Sequence, residues 1–133
     1  MYVDKTKTLD VGANDGMLHA FNGLAGSELG AYAPAGISLS DLGTLSDPQY
    51  SPNHRYFVDG PVVVSDTSVT IGKNYLVGTL GRGGKGIYGL DVSDPTHFGT
   101  DDVLWDDTGT VLGNDMGQIL GEPLIVKLNS GDY

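Results

Sequence analysis

Residues Val11 to Tyr32 read "VGANDGMLHAFNGLAGSELGAY", and the placing of turn residues in this stretch decides the fold. Leu9–Gly12 and Met17–Phe21 are short apolar or alternating runs, with Asn14, Asp15 and Gly16 between them. Asn and Asp tolerate positive φ, and glycine has no Cβ to clash. "NDG" between two strand-like runs therefore signals a tight hairpin. A second break, "NGLAGS", precedes Glu28–Tyr32, so three short strands occupy little more than the quoted stretch.

The unit recurs. In "KNYLVGTLGRGGKGIYGLDVSDP", Tyr75–Gly78 reads as a strand, "LGRGGKG" as a glycine-rich turn carrying Gly81, Gly83 and Gly84, and Ile87–Val92 as the returning strand. Val11-Gly12 corresponds to Val77-Gly78, and "LHAFN" to "IYGLD"; "ELGAY" and Val103–Trp105 supply the third strand of each copy. Two further runs, Pro61–Val64 and Pro123–Leu128, are continuously apolar and opened by proline. Continuous apolarity suggests strands covered on both faces, and a proline at the first position costs no ladder bond. The repeat distance is 66 residues from Val11 to Val77 and 62 from Pro61 to Pro123. Four-stranded propeller blades run about 40–50 residues, so the excess must sit in insertions.

These observations predict an all-β fold, a partial β-propeller of about two four-stranded antiparallel blades. Residues 8–32 would be the outer strands of a first blade and 33–56 an inserted loop with one helical turn in "ISLSDLGTLSD". Residues 57–106 would form a second blade, and 107–133 a connection and the inner strand of a third. On this reading the chain enters at the second strand of one blade and leaves just after the first strand of another. An arc of that kind leaves edges and blade faces bare and leans on the rest of its own propeller.

Composition agrees. Of 133 residues 21 are glycine, without a collagen period, so the glycines punctuate turns. The net charge of −10 opposes binding to a phosphate backbone, which excludes nucleic acid as the expected partner. Asp supplies 15 of the 17 acidic residues, a bias toward turns and away from helices. There is no cysteine, no apolar run of membrane-spanning length, and "MYVDKTKTLD" is too polar for a signal peptide.

"VGANDGMLHAFN", "RYFVDGPVVVSD", "YLVGTLGRGGKGIYGLDVSDP" and "VLWDDTGTVLG", in this order, resemble the C-terminal propeller of the PilY/PilC family of type IV pilus adhesins and biogenesis factors. The resemblance covers about Leu9 to Tyr133. It implies a quinoprotein-like ring of seven or eight blades, and a non-enzymatic role in surface adhesion, pilus assembly and twitching motility. It further implies an exported parent protein at the pilus tip or cell surface, with minor pilins and a host or abiotic surface as partners. Two positions depart from the family pattern: Asn22 stands where Asp is usual, and Gly30 where an aromatic is usual. The family's alternating-Asp calcium loop is expected after Tyr133, so no cofactor or metal ligand is assigned to these residues and calcium is left to the parent protein.

Residue by residue, the chemistry is structural. Asp15 reads as a turn residue bonding its own backbone, and Asp91 as satisfying amides at a strand end. Asp94 and Pro95 start a turn. Asp101, Asp102, Asp106 and Asp107 read as a solvated acidic rim, lacking the alternating oxygens and terminal Glu of an EF-hand loop. "GRGGKG" lacks the Lys-Ser/Thr ending and following helix of a phosphate loop, and reads as a wide, flexible hairpin tip. Trp105 is expected between blades, and Leu39, Leu42 and Leu45 as a small cluster under a loop. His19, His54 and His97 have no metal spacing, and no catalytic set is assigned. Two other classes remain open on sequence: a quinoprotein dehydrogenase, whose repeats also read "DGxLxAxDxxTGxxxW", and an envelope assembly scaffold. Ala33–Arg55 and Asp106–Leu120 are the expected contact loops.

Overall fold

The computed structural model describes residues 1–109 and 115–132. Two four-stranded antiparallel sheets account for its regular structure. The first contains β1 (Tyr2–Val3), β2 (Thr8–Gly12), β3 (Leu18–Asn22) and β4 (Glu28–Tyr32). The second contains β5 (Val62–Val64), β6 (Tyr75–Thr79), β7 (Ile87–Asp91) and β8 (Val103–Asp106). Each is a meander in chain order. The expected helical turn is α1 (Leu39–Leu42), whose N-cap Ser38 side chain accepts from the Asp41 amide; a 3-10 turn, Gly43–Ser46, continues it.

The core lies between the sheets. Leu18 of the first meets Leu76, Leu80, Tyr88 and Leu90 of the second, with Val58 and Val92 beside them. Strand alternation delivers these side chains: Leu76 and Gly78 of β6 are buried, while Tyr75 and Val77, which alternate with them, are half-buried. Tyr32 closes one side, its ring 5.4 Å from that of Tyr88. Its hydroxyl donates to the Asp106 carboxylate, which ties β4 to β8.

Several expectations change. The first sheet is complete, because Tyr2 pairs with Leu9 and Val3 with Thr8; the chain does not enter at a second strand. The inner strand of a third blade, placed at Pro123–Leu128, does not form: 122–129 carries no ladder. A strand exists only through a neighbouring strand's ladder, and among the described residues this run joins neither sheet; the Leu128 amide turns back to the Asp132 carbonyl (2.8 Å). The segment instead passes along the outer face of the second sheet, across a cleft of about 680 Å³ shared with Trp105, Gly89 and Leu104. Val62–Val64 is half-buried throughout and not covered on both faces. Leu39 is 83% exposed and outside the expected leucine cluster, whereas Leu42 seats over Gly16.

The internal repeat also shifts by one residue. Gly12 pairs with Leu18 and Gly78 with Tyr88. With the glycines aligned, Leu18 matches Tyr88 and not Ile87, so "LHAFN" corresponds to "YGLDV". A one-residue slip exchanges the two faces of a strand, and only this register puts both side chains in the shared core. Trp105, paired with Gly89, then corresponds to Ala31, paired with His19, and not to Gly30.

Candidate functional site

The insertion between the sheets, residues 33–56, is held at both feet. At the first, the Ala35 amide donates to Asp106 Oδ2 (2.8 Å) and the Gly36 amide to Thr108 Oγ1 (2.7 Å). Gly36 lies so close to Gly109 that a Cβ there would sit 2.5 Å from its nitrogen. At the second foot, Asn14 works in both directions. Its Nδ2 donates to the Arg55 carbonyl (2.8 Å) and faces His54 Nε2 (2.8 Å), and its Oδ1 accepts from the Phe57 amide (3.0 Å). The hairpin residue singled out for its turn chemistry is thus also a brace between the first sheet and the insertion.

At its second foot the insertion gathers three rings, Tyr50 half-buried and His54 and Tyr56 exposed. Tyr50 and His54 stand 5.4 Å apart, His54 and Tyr56 4.9 Å, and the Arg82 guanidinium lies 5.5 Å from the Tyr56 centroid. Aromatic and arginine side chains of this kind are amphipathic, and they are enriched where proteins meet partners. Arg55 pairs with Asp41 across the same cleft.

Arg82 comes from the "GRGGKG" turn. Its backbone is packed, not a wide loose tip: a Cβ on Gly83 would lie 1.6 Å from the Phe57 carbonyl oxygen, and Gly81 has φ +57 against Gly60. Gly84 lies on Leu80. Gly16, at φ +95, is overlaid by Leu42. Asn14, Gly16 and Gly81 to Gly84 therefore gather around the insertion.

Asp91, Asp94 and Pro95 lie elsewhere, Asp91 as the last residue of β7 and the other two just past it. Asp91 Oδ1 accepts from the amide (3.0 Å) and hydroxyl of Ser93, and Oδ2 from Lys73 (2.7 Å). Burial pushes its carboxyl up, but the bonds from Lys73 and Ser93 outweigh that and hold it below the ordinary range. Asp94 accepts from Thr96 and His97, which likewise lowers it. Pro95 borders a small cavity between the sheets. Asp106 leaves the expected acidic rim: it is half-buried, and the bonds it accepts from Thr108, Tyr32 and Ala35 overcome burial and keep it ionised. Among the described residues no three His, Asp or Glu side chains converge as metal ligands. No helix among them is long and apolar enough to cross a membrane.

Two further titratable groups stand out, Asp10, which the sequence did not mark, and His19, whose two partners it did not show. Asp10 is 2% exposed on the inter-sheet face and its Oδ2 has no hydrogen-bond partner; burial pushes its carboxyl up to about 6. His19 lies between Glu28 (Nδ1, 2.6 Å) and Asp15 (Nε2, 2.8 Å). Two carboxylate acceptors require both ring nitrogens protonated. The hydrogen bond to Glu28, reinforced by that to Asp15, raises its pKa against a smaller opposing effect of burial. Asp15 Oδ1 meanwhile accepts from the Met17 amide, as a turn residue does.

Comparison with known proteins places this architecture. The model of the PilY1 β-propeller domain matches residues 2–133. The chain belongs to the PilY1 β-propeller family. A type IV pilus biogenesis factor PilY1 homologue of Xylella fastidiosa is 43% identical over 124 residues, covering 92% of this chain and 8% of that protein. PilY1 of Pseudomonas aeruginosa strain UCBPP-PA14 is 40% identical over 128 residues, covering 92% and 10%. The crystal structure of the Pseudomonas aeruginosa PilY1 C-terminal domain superposes with a TM-score of 0.63 at 32% identity, over 94% of this chain and 23% of that one. The two sheets are thus blades of a partial propeller, and the chain spans about a tenth of the length of these curated relatives.

Proposed function

We propose that these blades are a non-enzymatic part of a type IV pilus tip protein that supports pilus assembly, surface adhesion and twitching motility. The parent protein is exported and acts outside the cell, at the pilus tip. Its partners are the rest of its own propeller, minor pilins and a host or abiotic surface. Membership of the PilY1 propeller family supports the pilus role, and the relatives are named as biogenesis factors, not enzymes. Any calcium is assigned to parts of the parent protein outside these residues.

One observation carries the recognition role: the 33–56 insertion is braced at both feet yet carries a ladder of rings, two of them exposed. A rigid platform with an exposed, chemically distinct loop is how folded scaffolds present contact surface. Replacing Tyr50 and His54 together with serine in the full-length protein is expected to lower attachment and surface piliation several-fold while export holds, because the bonds from Asn14 to the Arg55 carbonyl and the Phe57 amide remain. Unchanged attachment and piliation would overturn the assignment of this loop.

A further inference from the structure

The chain has two arginines, Arg55 and Arg82, far apart in sequence. Both line a single cleft of about 260 Å³ between the insertion and the "GRGGKG" turn. Asp41 is the one carboxylate on its wall, so the cleft is locally positive on a chain of net charge −10. Asp41 is already engaged, in an ion pair with Arg55. Among the described residues no carboxylate lies at ion-pair distance from Arg82.

We propose that this cleft receives a carboxylate from an acidic segment of a partner protein, with Arg82 as the receiving group and Arg55 beside it. The proposal rests on the reading of the insertion as a contact surface and names the chemistry it recognises. Arg82 is prepared for it. Its guanidinium lies against Tyr56, which removes water from one side, limits its rotamers and leaves the planar N–H fork to bind a carboxylate through two parallel bonds. The turn that carries it is seated directly on the Phe57 backbone, so the fork is displayed from a packed base. Volume selects the occupant. Pockets for drug-sized ligands run about 300–1,000 Å³, so this cleft suits one acidic side chain or chain terminus. The acidic surround disfavours an extended polyanion, whose further charges would face it.

The test uses the full-length protein and dye-labelled hexapeptides of glycine with glutamate or with glutamine, followed by fluorescence polarisation. The amidated glutamate peptide, or a glutamine peptide with a free C-terminus, is expected to bind about tenfold more tightly than the amidated glutamine peptide. Whichever does so identifies a side-chain or a terminal carboxylate as the group received. Arg82→Gln should erase the preference. Arg82→Lys, which keeps charge but loses the fork, should retain only part of it, and Tyr56→Leu should weaken it at unchanged charge. These two variants carry the test if Arg82→Gln lowers the melting temperature. Equal binding of all peptides, a preference that survives Arg82→Gln, or tighter binding of an oligouronate would each overturn the proposal. Failure here with attachment still lost on replacing Tyr50 and His54 with serine removes the cleft alone. A peptide preference with no effect of that replacement on attachment removes the contact-surface reading and leaves the cleft.

Discussion

The two sheets share one ladder and fill it oppositely. In the second, Trp105 stands across from Gly89 and covers it so closely that a Cβ on Gly89 would lie 2.5 Å from the indole. In the first, the large residue has changed strands: His19 takes the glycine position and Ala31 the tryptophan position. On the inward faces, Asp10 occupies the place of Leu76, and Leu18 that of Tyr88. What repeats is therefore the pairing pattern and the space to be filled across it, not the residue at each site. The outward faces then diverge in use, since His19 is clamped by Asp15 and Glu28 while Trp105 borders the cleft crossed by 123–132.

The sharpest way to break this comparison is to put the first sheet's residue into the second. Gly89→His should destabilise the protein by about 2–3 kcal/mol through overpacking under Trp105. Adding Trp105→Ala recreates the His19–Ala31 pair and should recover at least half of that loss in thermal unfolding. No recovery would show that the two pairs are not interchangeable.

Asp10→Leu makes the inner faces alike. The folded Asp10 pKa of about 6 lies above the ordinary carboxyl value, so the folded state holds its proton longer than the unfolded chain. Stability must then fall as pH rises from about 4 to 6 and level off above, a penalty of roughly 3 kcal/mol at neutral pH. Asp10→Leu should abolish that fall and raise the melting temperature at pH 7, while changing little at pH 3.5. A melting profile that keeps its slope in the variant would place the proton elsewhere.

The smallest effect belongs to His19. Its pKa is raised in the fold, so its contribution is complete below the unfolded value near 6.5 and fades as pH climbs through the folded one. Its partners are half exposed, which limits the contribution to a few tenths of a kcal/mol. His19→Gln should lower the melting temperature slightly at pH 6 and not at pH 9; an equal loss at both would mean packing against Phe21, not charge.

Much of the fold was legible because turn chemistry is local. "NDG", "NGLAGS" and the alternating runs beside them marked strands whose ends fall within a residue or two of those observed. Register across the repeat was not legible, since the loop from Gly12 to Leu18 is shorter than that from Gly78 to Tyr88 and hides a one-residue offset. Tyr2–Val3 is too short to show a period. Pro123–Leu128 shows a strand's composition, but composition cannot supply the neighbour a strand needs. The site was harder still. Asn14 announces a turn, while the backbone it braces lies some forty residues away. The ring ladder is visible in "YSPNHRYF" only as scattered aromatics, because nothing local says that Arg82 will arrive beside them.

Bracing at Asn14 and Thr108 has a consequence for how this protein can change over generations. Because both entry and exit of the 33–56 arch are fixed by bonds to neighbouring blades, the entropy of closing it is set by its anchors and grows only slowly with its length. Substitutions, and even added residues, between Gly43 and Gln49, past the Leu42 contact with Gly16, leave the braces at both feet in place. The same pair of blades can thus carry successive versions of its arch while the strands beneath stay the same.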